Sequence, residues 1–327
     1  MTTYHKKAHP MNNSIAPLFA PLQVRHKTLR NRIVLPPMVV NRGLATPAAC
    51  EWYGRRAQGG VSLVIVEATN SILFGEELTG SNLRPLVEAI HDGGALAAIQ
   101  VFPFRRGQST APADLSPEDI SRLLAQYRLA ADICAAAGFD GIQPHGAHGY
   151  LLNQFFSPVR NQRTDGYGGD LSGRMRLAIE IVETIRPIAD RAGMLVLYRH
   201  TPLRDDFGYG IPDSLILAEA LVTAGVDILD LSPSSGGAPG DRAAPFTRLG
   251  VPVIAVNGLD RVPRALEVLE HGRADLVAVG RGLIADPDWP IKVREGRQDE
   301  IVVCVSCDEC HADLRRGVAV GCAEWRN

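Results

Sequence analysis

Two histidines and a tyrosine, His145, His148 and Tyr150, fall within six residues of one another, directly after the short apolar run GIQP (141–144). His-x-x-His-x-Tyr supplies two ring N–H donors and one weak acid. That set suits polarising a carbonyl oxygen while a proton is delivered nearby. Taken singly, each of these side chains could equally be a packed structural residue. A second chemical group lies near the C-terminus, where Cys304, Cys307, Cys310 and Cys322 crowd into nineteen positions as CxxCxxC plus one distant cysteine. Four thiolates satisfy a [4Fe–4S] cluster or a tetrahedral zinc ion. The spacing favours the cluster, because structural zinc more often uses two separated CxxC pairs. The other two cysteines, Cys50 and Cys134, fall in helical patterns and read as inert, buried small side chains.

Elements must exist to hold these groups. Short runs rich in Val, Ile and Leu recur at 31–36, 61–67, 95–100, 141–144, 194–199, 227–232, 251–256 and 274–280. Continuous apolar runs of this kind suit parallel strands buried on both faces. Amphipathic helical stretches separate them. In 116–137, SPEDI provides an N-cap serine, a proline at the first helical position and early acidic residues. Leu123, Leu124, Tyr127, Ala131, Cys134 and Ala137 form the inward stripe, and Gly138 stops the helix. Eight alternations indicate an α/β fold, a (β/α)8 TIM barrel, with a doubly wound sheet as the rival.

In such a barrel the chemistry sits beyond the C-terminal strand ends. The distinctive residues fall there: Pro37 and Met38, Glu67 and Ala68, Gln100, the His145–Tyr150 group, Arg199, Ser232 to Gly237, Asn257 and Gly258, Gly280 and Arg281. The last two pairs occupy loops where barrels commonly hold a phosphate through backbone N–H groups. A phosphate-bearing cofactor follows from placement alone.

Length and composition bound the rest. At 327 residues and 46 % apolar content the chain suits one barrel with a short appendage. Residues 1–14 read as a flexible arm, 15–298 as the barrel and 299–327 as a cysteine-rich metal-binding tail. A formal charge of −2 offers no electrostatic case for nucleic acid or an anionic membrane. No apolar run reaches the roughly 18 residues of a membrane span. The N-terminus lacks the apolar core of a signal peptide, so a cytoplasmic location is expected.

The stretch 138–169, GFDGIQPHGAHGYLLNQFFSPVRNQRTDGYGG, resembles the substrate-binding signature of the Old Yellow Enzyme family of FMN-dependent ene-reductases. The resemblance extends from Leu18 to about Trp289. LFAPLQVRHKTLRNRIVLPPM is similar to the family's opening, YGRRAQGGVSLVIVEAT to its second strand with the preceding helix, and VAVGRGLIADPDWPIK to its closing phosphate loop. The likeness implies FMN contacted by Pro37, Met38, Ala68, Gln100 and Arg199, the last placing positive charge near the flavin N1–O2 edge. Asn257, Gly258, Gly280 and Arg281 would hold the phosphate. It further implies that NAD(P)H reduces the flavin and that an α,β-unsaturated carbonyl compound is then reduced. His145 and His148 would hold the substrate oxygen and Tyr150 would protonate the α-carbon.

The chain departs from the family pattern around the substrate pocket. Val39, also at the cofactor, replaces a threonine or cysteine that hydrogen-bonds the flavin, which implies a shifted redox potential. VFPFRR follows Gln100 where a histidine and glycine are usual, the loop from Gly107 to Leu115 is short, and Gln143-Pro144 replaces Glu-Ile. The tail resembles the iron–sulfur segment of 2,4-dienoyl-CoA reductases and trimethylamine dehydrogenase, so His311 beside Cys310 is surplus. Those relatives carry a further nucleotide-binding region after the cluster. This chain reaches Asn327 with no GxGxxG opening a βαβ unit. Electrons would then come directly from NAD(P)H, with a structural cluster, or pass between the cluster and a redox partner protein. A small-molecule substrate is expected and a homo-oligomer is compatible. Oxidation of an amine is the alternative activity, and an FMN-binding electron-transfer subunit without a substrate is a third reading.

Overall fold

The computed structural model describes residues 15–103, 111–233 and 241–325. The arm expected over 1–14, Phe104 to Arg106 of the VFPFRR departure, the first four residues of the Gly107–Leu115 loop and residues 234–237 of the Ser232–Gly237 segment lie outside the described residues.

Eight parallel strands close into a barrel: β1 (Ile33–Leu35), β2 (Leu63–Asn70), β3 (Leu96–Phe102), β4 (Gly141–Gly146), β5 (Leu195–His200), β6 (Ile228–Leu231), β7 (Val253–Ala255) and β8 (Leu276–Ala278). Each pairs with its sequence neighbour, and β8 returns to pair with β1. Alternation explains why the strands are apolar throughout. Val34 faces the barrel interior with Leu63, Ile65, Leu197 and Ile254, while Ile33 and Leu35 pack outward against the helices. The doubly wound alternative is thereby set aside.

The helix expected after residue 116 runs Pro117–Ala137. Ser116 caps it by accepting from Asp119 N, Asp119 returns the bond to Ser116 N, and Gly138 ends it at φ 93°. Its stripe is buried as expected except for Leu124, which is half-buried and packs at the margin. The eightfold strand–helix alternation needs one correction. Between β6 and β7 the described residues carry a 3₁₀ helix, Ala244–Leu249, and no α-helix. This segment carries Pro245 near its start and ends at Gly250, at φ 78°.

An antiparallel hairpin, Leu22–Val24 with Lys27–Leu29, precedes β1. Val24 and Leu29 join the interior cluster and plug one end of the barrel. Strands of three residues fall below what periodicity detects.

The cysteine segment packs onto the barrel. Val320 is buried, with its N–H on Val40 O at 3.0 Å, while Asn41 and Arg42 donate to Val318 O and Val320 O. The helix Glu309–Arg316 is held by Asp313, a buried carboxylate that accepts from Gly321 N and Arg316.

Candidate flavin and substrate site

β4 is longer than the apolar run suggested and includes His145 and Gly146, so His145 lies within the ladder, level with Arg199 of β5. Arg199 is in turn level with Asp230 of β6. Neighbours in register point the same way, so three strands put an imidazole, a guanidinium and a carboxylate side by side. Gly146 is required here, because a Cβ would sit 2.1 Å from Tyr198 Oη. Beyond it the chain turns sharply, with His148 at φ 59°, a costly conformation for a non-glycine residue. Its N–H donates to Thr201 Oγ1 at 3.1 Å, and Gly149 N–H donates to Asn153 Oδ1, which together hold the turn.

The turn gathers the three residues singled out by spacing. The rings of His145 and His148 are 5.2 Å apart and nearly perpendicular, and Tyr150 lies 4.8 Å from His145 and 5.6 Å from Phe102. His145 is buried, whereas Tyr150 opens the helix Leu151–Phe156 and is 45 % exposed. Burial, then the charges of nearby His148 and Arg199, drives the His145 pKa well down. His148 is exposed as a residue, and desolvation of its packed ring, then Arg199 and Arg204, takes its pKa to about 3. Both rings are therefore neutral at ordinary pH. Ala147 N donates to His145 Nδ1, which leaves the His145 proton on Nε2.

A buried polar network continues from these rings. Ser232 Oγ lies 2.8 Å from His148 Nε2 and accepts from Arg199 Nη2 at 3.0 Å. Arg199 Nη1 is 3.5 Å from Asp230, whose Oδ2 accepts from Gln143, and Gln143 accepts from Gln100. Burial raises the Asp230 pKa, against the opposing pull of Arg199 and Gln143. Ser232 was placed at its strand end from the sequence, but Asp230 was not singled out. A polar residue inside the apolar run DILDLS was the available signal.

A cleft of about 520 Å³ adjoins this network and receives most of the expected cofactor residues. Pro37, Met38, Arg199, Asn257, Gly258, Gly280 and Arg281 line it, while Val39, Ala68 and Gln100 are not in its wall. Val39 and Ala68 are half-buried on adjoining segments, and Gln100 is buried and committed to Gln143. The wall fits a flavin mononucleotide. Arg199 Nε is buried without a partner among the described residues, a donor suited to a ring carbonyl or ring nitrogen. The same wall holds Arg261, Arg264 and Arg281 with the carboxylate of Asp260, Arg281 also lying 3.6 Å from Asp308, and this excess of guanidinium suits a phosphate. Asn257 and Gly258 turn there at φ 93° and 66°. Arg261, Arg264 and His311 were not foreseen, because arginines near helix starts are common and His311 reaches the cleft only through tertiary folding.

Cys304, Cys307, Cys310 and Cys322 all line one small, largely apolar cavity, and all four thiols are free. Arg281, Cys304 and Ser306 are shared between this cavity and the cleft. Burial, with the nearby Cys304 and Cys307 thiols adding to it, raises the Cys310 pKa. Among the described residues no three His, Cys, Asp or Glu side chains are grouped closely enough for a single ion. Cys134 is fully buried as expected, but Cys50 is only half-buried, because its position on the helix Pro47–Gln58 lies at the edge of the packed face.

Residues 17–108, 104–211 and 247–300 match the NADH:flavin oxidoreductase / NADH oxidase family. The chain is 34 % identical over 318 residues to an NADPH dehydrogenase of Halalkalibacterium halodurans, covering 84 % of this chain and 92 % of the relative. It is 31 % identical over 345 residues to an NADH oxidase of Thermoanaerobacter brockii, covering 89 % of this chain and 52 % of the relative, so it spans about half of that protein. Histamine dehydrogenase from Rhizobium sp. 4-9 superposes with a TM-score of 0.82 at 25 % identity, over 95 % of this chain and 52 % of that structure.

Proposed function

The chain belongs to the NADH:flavin oxidoreductase / NADH oxidase family, that of the Old Yellow Enzymes, and is an FMN-dependent oxidoreductase; from that premise we propose that it is an ene-reductase acting on α,β-unsaturated carbonyl compounds. The observation that carries this reading is the pair of neutral imidazoles 5.2 Å apart, His145 buried and His148 exposed, with Tyr150 beside them, adjoining the cationic cleft. FMN, when bound in the cleft, supplies the hydride that NAD(P)H provides. Pro37, Met38 and Arg199 would lie against its ring system, and Arg261, Arg264, Arg281 and the Asn257–Gly258 turn would hold its phosphate.

The protein's own residues then have defined tasks. His145 presents its Nε2–H to the substrate oxygen. Ser232, already accepting from Arg199, donates its hydroxyl proton to His148 Nε2 and leaves the Nδ1–H of that ring for the same oxygen. Two neutral donors stabilise negative charge that grows on the oxygen during reduction, which favours the transition state over the ground state. Tyr150 delivers the proton to the α-carbon, and its exposure lets solvent restore that proton.

A [4Fe–4S] cluster in the four-cysteine cavity is part of the proposal. The four thiols line one cavity, and their CxxCxxC spacing with one distant cysteine supports the cluster over zinc.

A second reading, oxidation of a small amine with electrons leaving through the cluster, draws on the likeness to histamine dehydrogenase. The site favours the first, since neutral ring N–H groups donate to a carbonyl oxygen whereas an ammonium needs acceptors. Anaerobic reduction of 2-cyclohexenone by NADPH tests it. The His145→Ala/His148→Ala double variant should lose at least about 100-fold in kcat/KM, on the scale of removed oxyanion donors. Wild-type enone reduction by that variant, with flavin retained, overturns the assignment.

A further inference from the structure

Four thiols suffice for an iron–sulfur core, which leaves His311, the residue after Cys310, without a task. The fold turns it away from the thiols. His311 lines the flavin cleft and not the cysteine cavity, whose wall Cys304, Cys307, Cys310 and Cys322 share. Its side chain is 54 % exposed, so a ligand entering the cleft can reach the ring.

The carboxylate of Asp308 sets the position of that ring. Asp308 precedes the helix Glu309–Arg316, yet its side chain caps none of the helix N–H groups. Instead Oδ1 lies 3.3 Å from His311 Nδ1 and 3.6 Å from Arg281 Nη1. One carboxylate oxygen thus ties an imidazole of the cysteine segment to a guanidinium at the end of the loop after β8. With Nδ1 turned to Asp308, Nε2 is the ring nitrogen left for a ligand. Ser306 and Asp308 hold left-handed backbone at φ 57° and 61°, on either side of Cys307, which non-glycine residues seldom adopt. These two bends let Ser306 and His311 reach the cleft wall while Cys307 stays on the cysteine cavity.

We propose that His311 holds the phosphate of FMN beside Arg281, so that the cysteine segment supplies a ligand to the flavin. The proposal rests on reading the arginine-rich part of the cleft as the phosphate end. A phosphomonoester presents three strong acceptor oxygens, more than one guanidinium fork can occupy. Between the Asp308 carboxylate and a phosphate, an imidazole can carry a proton on each nitrogen and donate to both.

Riboflavin, which keeps the ring system and ribityl chain but lacks the phosphate, isolates this contact. Fluorescence titrations of the full-length protein, purified anaerobically and freed of flavin, give Kd for both ligands. His311→Ala should raise the FMN Kd about tenfold or more and leave that of riboflavin unchanged. His311→Glu should raise it further, since a carboxylate there repels the phosphate, again with no effect on riboflavin. Iron content should stay at the wild-type level in both variants. Arg264→Gln, at an exposed residue of the same wall, separates the contact from the premise beneath it. If Arg264→Gln weakens FMN selectively while both His311 variants bind FMN as the wild type does, the His311 contact is overturned and the phosphate end stands. If none of the three separates FMN from riboflavin, the phosphate end falls and His311 with it. An equal loss of FMN and riboflavin in His311→Ala means that the ring only shapes the cleft, and a loss of iron makes it a cluster ligand. Either result overturns the proposal.

Discussion

The candidate site pairs a buried imidazole, His145, with an exposed one, His148, both neutral at ordinary pH, and a third group, Glu67, is tuned by burial in the opposite sense. Its carboxylate, in the irregular stretch of β2 between Val66 and Thr69, accepts from Val40 N, yet burial lifts its pKa from 4.5 to about 7. A folded-state pKa raised above the unfolded value means the native state holds the proton longer. Stability contributed by Glu67 is thus full below pH 4.5 and is lost as pH rises to about 7. His148 works the other way, since its pKa falls from 6.5 to about 3 and its protonation favours unfolding. Stability is therefore lost as pH falls from 6.5 toward 3. Urea denaturation across pH 4 to 8 should show Glu67→Gln without the decline between 4.5 and 7. In the same range the proton spectrum of His148 should show no titration above about pH 4. A histidine signal from that ring titrating near 6.5 would rule out the neutral-donor role.

Secondary-structure elements divide into those that supply stability alone and those that aim the chemistry. The helix Pro117–Ala137 belongs to the first kind, with its capping box, proline start and left-handed glycine stop. Ser116→Ala should lower unfolding free energy by about 1 kcal/mol, measured by urea titration, without changing enone turnover. β4 belongs to the second. Gly146→Ala would place a methyl against the Tyr198 hydroxyl and displace the His145–Tyr150 turn. Steady-state kinetics should then show enone reduction falling at least about tenfold, on the scale of a small misplacement of positioned groups. A Gly146→Ala protein with wild-type kinetics would mean that the close packing does not aim the rings. The apolar runs made every barrel strand legible, but the hairpin plugging the barrel was not, because three-residue strands have no usable period. The β6–β7 connection also escaped, since proline and glycine override a helical pattern locally.

For the molecule as a whole, the cysteine segment is not a separate module but a layer on the barrel, anchored by Val320 and by Trp325 Nε1 donating to Ala285 O. Filling its cavity should therefore stabilise the entire fold. Purified anaerobically, the protein should contain about four iron atoms and one FMN, as a [4Fe–4S] site requires. Cys322→Ser should lose the iron and lower the midpoint of thermal unfolding. Loss of iron with an unchanged midpoint would separate the cluster from the fold. Among the described residues no helix is long and apolar enough to cross a membrane. Legible in the sequence by itself were the barrel, the grouping of His145, His148 and Tyr150, the glycine-bearing loops after the last two strands and the four cysteines, because each is encoded in local spacing or in runs of one polarity. Tertiary structure alone decided that His145, Arg199 and Asp230 stand level on adjacent strands, that Ser232 joins His148 to Arg199, and that His311 lines the flavin cleft rather than the cysteine cavity. Those relations depend on strand register and on packing between residues far apart in the chain, which local spacing does not carry.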